Sequence, residues 1–256
     1  MITQVEFDGR PFWVDQENMP QWRHPISGYL FGSEWEKIQA EVLVKTMLPD
    51  WGFIDVGANF GAYSFLAATR TTAPVIAFEP EWYNHDILMK NLDSYRHAIA
   101  YHLAIADEMK VMRLELTPDQ CGGHRLKNCG MRIAECGIKI RNPKSEILQG
   151  GSFQIVHCYP LDWFKLNAKA IKVDVEGTGL DVLKGGEHTV RNANLVMLEI
   201  HLVDGFTGER TQEAECVRIL KEWGFEINLF QFAHPIVGII CHKGIQKNFG
   251  PWGISD

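Results

Sequence analysis

Three charged side chains alternate along the stretch "IKVDVEG": Lys172, Asp174 and Glu176. A spacing of two puts all three on one face of a strand, with Ile171, Val173 and Val175 on the other. Charges on a strand that otherwise belongs to a core are costly to bury unless they are paired or used. "LEIH" repeats the arrangement with Glu199 and His201. Carboxylates beside an imidazole suit removal of a proton from a hydroxyl, with Asp174 or His201 as the base and Lys172 and Glu176 orienting it. The same set, Asp174, Glu176, Glu199 and His201, is a donor group for a divalent ion, although no metal is favoured here. The structural alternative is an edge strand with a solvated face, or a Lys172–Asp174 ion pair that only holds register.

A second stretch, "FIDVGANFGAYSF" at residues 53–65, sets an apolar run before an acid and two glycines four apart. A dinucleotide fingerprint needs glycine at the second position, where backbone approaches the pyrophosphate. Asn59 stands there, and Ala62 stands at the third position. What remains is Asp55 ending a strand, Gly57 in the turn and Gly61 opening a helix. The next strand, "APVIAFEP", ends in Glu79, an acid placed to accept from both hydroxyls of a ribose. A ribose ligand without pyrophosphate, facing an acid at two successive strand ends, suits S-adenosylmethionine, whose amino group and sulfonium are cationic. An ordinary buried strand–turn–helix explains the apolar run but not the two acids.

These residues need elements to hold them. Around Asp8-Gly9 the sequence alternates as a β-hairpin, and "GSEWEKIQAEVLVKTML" reads as an amphipathic helix with Ser33 and Glu36 as a capping box. Strands "GFIDVG", "APVIAFEP" and "AIAYHLAIAD" alternate with helices "GAYSFLAATR" and "EWYNHDILMKNLDSY". Continuous Val, Ile and Phe runs mark strands buried on both faces, and strand–helix alternation implies parallel crossovers, hence an α/β doubly wound open sheet. "KVMRLELT" and "SFQIVHCYPL" read as strands flanking an inserted loop, about 118–151. The rhythm resumes with "AIKVDVEG", a helix through "GLDVLKGGEHTV", "NLVMLEIH", the helix "QEAECVRILKEWG" and a closing antiparallel pair in "FEINLFQFAHPIVGIICHK". The tail "NFGPWGISD" carries no clear signal. One domain over 1–256 is expected: hairpin and helix in 1–49, the core in 50–201, a helix and closing strands in 202–256.

Composition narrows the function classes. The chain is 46% hydrophobic and 22% charged, ordinary for a globular protein. With 25 basic against 32 acidic residues the net charge is −7, which argues against a broad nucleic-acid-binding face. No run reaches the ~18 apolar residues of a membrane span, and no signal-peptide core is evident near the start, so a cytoplasmic location is expected. Six cysteines in a chain of 256 residues do not resemble a disulfide framework. Cys121, His124, Cys129 and Cys136 match no paired zinc spacing and read as reduced cysteines in a loop.

Taken in order, "IDVGANFGAYS", "AFEP" with its helix ending near "KNL", "LAIAD", "YPLDWF", "IKVDVEGTGLDVLKGG" and "LVMLEIH" resemble the FkbM family of S-adenosylmethionine-dependent methyltransferases, over about residues 50–201. The resemblance implies a seven-stranded Rossmann-like methyltransferase sheet, here with an N-terminal hairpin and helix extension. It implies methyl transfer, usually to a hydroxyl of a sugar, polyketide or related small molecule. By position, Asp55, Gly57, Asn59 and Gly61 would line the methionine end of the cofactor and Glu79 would hold the ribose. Ala104, Ile105 and Asp107 would border the adenine, and Asp174 would sit beside the sulfonium and the acceptor. The insert departs from the short loop expected there. Its Arg125, Lys127, Arg132, Lys139, Arg141 and Lys144 keep RNA ribose methylation open as an alternative, and a non-catalytic cofactor-binding protein is a third reading.

Overall fold

Asp8 and Gly9 both adopt positive φ, 52° and 70°, the backbone a tight two-residue hairpin turn needs. They join β1 (Ile2–Phe7) to β2 (Arg10–Asp15), paired antiparallel from Ile2↔Asp15 to Phe7↔Arg10. This computed structural model describes residues 2–15, 34–116, 124–128, 153–201, 209–231, 236–245, 249–250 and 253–254. Helix α1 (Glu34–Thr46) follows, burying Trp35, Val42 and Leu43. The expected cap, Ser33, lies outside the described residues.

The alternating units then build the central sheet. In chain order they are β3 (Phe53–Val56), α2 (Ala62–Ala68), β4 (Val75–Phe78), α3 (Trp82–Leu92) and β5 (Ala98–Tyr101). A second group follows: β6 (Ala104–Ile105), β7 (Lys110–Glu115), β8 (Arg125–Asn128) and β9 (Phe153–Tyr159). After a 3-10 turn at Leu161–Phe164 come β10 (Ala170–Asp174), α4 (Gly179–Gly185), α5 (Glu187–Arg191), β11 (Leu195–His201), α6 (Glu209–Glu222), β12 (Glu226–Gln231) and β13 (Ile236–His242). A short pair, β14 (Phe249–Gly250) and β15 (Gly253–Ile254), lies in the tail that carried no sequence signal.

Among the described residues the central sheet has seven strands in the order β12-β13-β11-β10-β3-β4-β5. The five strands from β11 to β5 run parallel, and β13 is antiparallel to both β11 and β12. The doubly wound expectation holds. Alternation along each strand divides the core into two layers. One face carries Phe53, Ala77, Ala170, Leu195 and Met197 under α1, α2, α3 and the hairpin. The other carries Ile54, Phe78, Ile171, Val173 and Leu198 with Val182, Val190 and Leu220 from α4, α5 and α6.

Three expectations need correction. "AIAYHLAIAD" is two strands in two sheets: β5 edges the central sheet, whereas β6 pairs in parallel with β9 in a four-stranded sheet ordered β6-β9-β7-β8. The helix through "GLDVLKGGEHTV" is broken into α4 and α5 at Gly185-Gly186. A Cβ on Gly185 would lie 2.0 Å from the Ala106 carbonyl oxygen, so only glycine lets the end of α4 press against the segment that follows β6. Part of the inserted loop, Arg125–Asn128, is a strand paired to β7.

Candidate functional site

The turn leaving β3 is built from close approach. Gly57 has φ 78°, and a Cβ there would sit 1.9 Å from the Asp174 carbonyl oxygen. Only glycine lets this turn lie against the end of β10. The Gly57 and Ala58 amides both donate to the Phe78 carbonyl at 3.0 Å, which fastens the turn to the end of β4. Asn59 takes a left-handed φ of 52°, and its side-chain oxygen accepts from the Phe60 amide at 2.8 Å. Gly61, φ 84°, opens α2.

Asp55 is fully buried. Its Oδ2 accepts from the Ser64 amide at 3.1 Å and the Ser64 hydroxyl at 2.6 Å. Its Oδ1 has no hydrogen-bond partner among the described residues. Burial pushes its pKa up, and the nearby Lys172 ammonium only partly offsets this. Glu79 is 5% exposed. One of its oxygens accepts from the Asn59 amide and the other from the Glu81 amide, both at 2.8 Å. Burial outweighs those two bonds and raises the Glu79 pKa to about 8. Glu81 caps α3 through the Asn84 amide and accepts from Gln154 Nε2 at 2.6 Å, which ties the second sheet to this corner.

The charged cluster lies across β3, β10 and β11 in two adjacent rows. Asp55, Lys172 and Met197 stand in register in one row, and Asp174 and Glu199 are register partners in the next. Lys172, with its side chain 2% exposed, donates to Asp174 Oδ2 at 2.9 Å and lies 4.4 Å above the Tyr63 ring. Burial alone would lower its pKa. Asp174, Asp55 and Glu199 together reverse that and hold the ammonium above the ordinary lysine value. Tyr63 donates to the Glu36 carbonyl or Gln39 Oε1, both at 3.0 Å. Burial, with the charges of Glu36, Glu199, Asp174 and Asp55, pushes its phenol well up. Three carboxylates thus surround one ammonium at the carboxyl ends of adjacent parallel strands, where open α/β sheets hold ligands.

Other expected residues fall elsewhere. Strand β10 stops at Asp174, so Glu176 does not share its face by alternation; it forms an isolated parallel bridge with Arg125 of β8. His201 ends β11 opposite Ile236, and its side chain lies outside the described residues. Ala104 and Ile105 are buried in β6, and Asp107 follows it. A 2.5 Å bond from Lys110 keeps the Asp107 pKa below its usual range. Among the described residues no three His, Cys, Asp or Glu side chains converge as metal ligands. Cys121, Cys129 and Cys136 lie outside them, while Cys158, Cys216 and Cys241 are buried. No helix among the described residues is long and apolar enough to cross a membrane.

Sequence reasoning did not find Trp35, Tyr63 or Ser64. Ser64 had a local signal, lying one helical turn past Gly61 and beside Asp55. Trp35 had none, because it donates from Nε1 to Glu199 Oε2 at 2.8 Å across 164 positions of chain.

Comparison with known proteins bears on this geometry. Among curated proteins the chain is similar to the hexuronic acid methyltransferase AglP of Haloferax volcanii, 28% identical over 149 residues. That match covers 57% of this chain and 54% of the relative, so the chain spans about half the length of the curated relative it matches. Among solved structures it is similar to an rRNA methylase from Streptococcus thermophilus, with TM-score 0.49, 12% identity, and coverage of 80% of this chain and 93% of that one. It is also similar to TYW2 of P. horikoshii in complex with MeSAdo, with TM-score 0.48, 14% identity, and coverage of 94% and 69%. The family model of the methyltransferase FkbM domain matches residues 55–227, from the acid at the end of β3 into β12. Across well over half its length, then, the chain belongs to the FkbM methyltransferase family.

Proposed function

We propose that the chain transfers the methyl group of S-adenosylmethionine to a hydroxyl of a sugar or related small molecule. The observation that carries this is the excess of carboxylate over ammonium at the ends of β3, β10 and β11, with Asp55 Oδ1 buried and unpartnered among the described residues. A buried acceptor atom without a donor is costly unless a ligand supplies one. A ligand carrying an ammonium and a sulfonium fits that need, and the glycine turn leaves room for no side chain between it and the end of β10.

Asp55, Gly57, Asn59 and Gly61 line the methionine end in this reading. Glu79 takes the ribose with lone pairs left over from its two amide bonds, and Ala104, Ile105 and Asp107 border the adenine. The bound cofactor supplies a methyl carbon made electrophilic by the positive sulfur. Asp174, whose Oδ2 is fixed by Lys172, would orient the acceptor hydroxyl so that its oxygen takes the methyl group as the sulfur–methyl bond breaks, leaving S-adenosylhomocysteine. Asp174 or His201 takes the hydroxyl proton. The likeness to a hexuronic acid methyltransferase supports a sugar as the acceptor class.

The test combines titration calorimetry with S-adenosylmethionine and a turnover assay over a panel of free and glycan-linked sugars. Asp174→Ala is expected to lower turnover by about 10²-fold or more while affinity for S-adenosylhomocysteine, which lacks the sulfonium charge, changes only a few-fold. Full turnover in that variant removes the role given to Asp174. Failure of the wild-type protein to bind the cofactor removes the whole reading.

A further inference from the structure

Helix α1 lies outside the residues matched by the family model, yet it reaches into the charged cluster at two points. Trp35 is 2% exposed, and its indole N–H donates to Glu199 Oε2 at 2.8 Å. Glu199 stands in register with Asp174 on one side and with Gly238 of β13 on the other. Any Cβ at position 238 would lie 2.4 Å from the Trp35 ring. The indole therefore occupies the place where a side chain of β13 would otherwise be, directly over the Asp174–Glu199 row. The second point is the Tyr63 hydroxyl, bound to Glu36 and Gln39 of the same helix while its ring lies under the Lys172 ammonium.

Resting on the cofactor reading above, we infer that Trp35 is a positioning residue of the methyl-transfer site, holding the Glu199 carboxylate beside Asp174 so that both acids face the positive sulfur of the cofactor. Register partners on neighbouring parallel strands lie about 5 Å apart. A cation held beside Asp174 therefore also feels the charge of the buried Glu199 carboxylate, which adds to its attraction. A donor that bonds one oxygen helps fix a carboxylate's orientation, and the indole N–H does this for Glu199 Oε2. The ring performs a separate task, filling the space over Gly238. Trp35→Phe removes the donor and leaves most of the ring, and Glu199→Gln removes the charge and leaves the shape.

Titration calorimetry on the full chain separates the roles by using S-adenosylmethionine, which carries the sulfonium charge, and S-adenosylhomocysteine, which lacks it. Glu199→Gln is expected to weaken the charged ligand about tenfold more than the neutral one. Trp35→Phe is expected to show the same selective loss, at least about threefold, and the double variant to match Glu199→Gln alone. The inference is overturned by Trp35→Phe weakening both ligands alike, leaving both unchanged, or adding its full effect to that of Glu199→Gln. Should Trp35→Phe fail to fold, Glu199→Gln decides alone, and unchanged discrimination between the two ligands overturns the inference. A wild-type protein that binds neither ligand removes the cofactor reading and this inference together. Normal wild-type binding with no selective loss removes only this inference.

Discussion

At the scale of single residues the site is governed by how few of its charges touch water. Lys172 is held charged chiefly by Asp174, with Asp55 and Glu199 adding to it, while burial raises the pKa values of Asp55 and Glu79. Glu79 allows a direct check. Its pKa of about 8 stands against an ordinary 4.5. Between those values the folded chain keeps a proton that the unfolded chain releases. Stability is therefore greatest below the lower value and falls as pH rises through the window. Glu79→Gln has no such proton. The difference in melting temperature between about pH 5 and about pH 8.5 is expected to shrink in that variant. An equal difference in both proteins would mean that Glu79 is already ionised at the lower pH. On the proposed cofactor reading, ribose hydroxyls would donate to Glu79 and favour its ionised form, so cofactor binding near neutral pH is expected to release a proton, seen as a buffer-dependent binding enthalpy.

At the scale of elements, glycines decide which strand ends can meet. Gly57 is pressed against backbone, the Asp174 carbonyl at 1.9 Å from an added Cβ, and backbone cannot move aside without dragging β10. Gly61 is pressed against Leu88 Cδ1 at 2.3 Å, the movable end of a side chain. Both hold positive φ. Gly57→Ala is expected to cost about 3 kcal/mol or more and to abolish cofactor binding. Gly61→Ala is expected to cost about 1–2 kcal/mol, with weakened binding. Chemical denaturation and calorimetry on the two variants check the order, and equal losses would contradict the distinction between backbone and side-chain neighbours.

At the scale of the whole molecule, the N-terminal hairpin and α1 are part of the core. Phe7, Phe12, Val14, Trp35 and Leu43 are all buried, and Phe7 and Phe12 pack on Phe65 of α2. Arg70 clamps the hairpin turn through two bonds to Asp8, at 2.8 and 3.0 Å. Each large apolar side chain contributes about 1.5–3 kcal/mol when buried, against a total stability of about 5–15 kcal/mol for a domain. Removing residues 1–49 takes away an amount comparable to that whole margin, although the family match begins only at residue 55. The truncated chain is expected to lose its cooperative melt. A truncated protein that melts like the full chain would show that the N-terminal segment is an accessory.

The sequence by itself determined the alternating strands and helices, the parallel centre of the sheet, the acids at the ends of β3 and β4 and the shared face of Lys172 and Asp174. Those features are written in local periodicity, where a spacing of two or of three to four fixes a face. The place of β13 between β11 and β12 came only from the tertiary structure, because either order of a closing antiparallel pair satisfies the same apolar pattern. So did the split of β5 from β6, since nothing in a continuous apolar run says which sheet each half will join. The end of β10 at Asp174 and the bond from Trp35 to Glu199 were equally out of reach. Partners separated by 164 positions have no common spacing, and only the packing of α1 over the strand ends brings that donor to that acid.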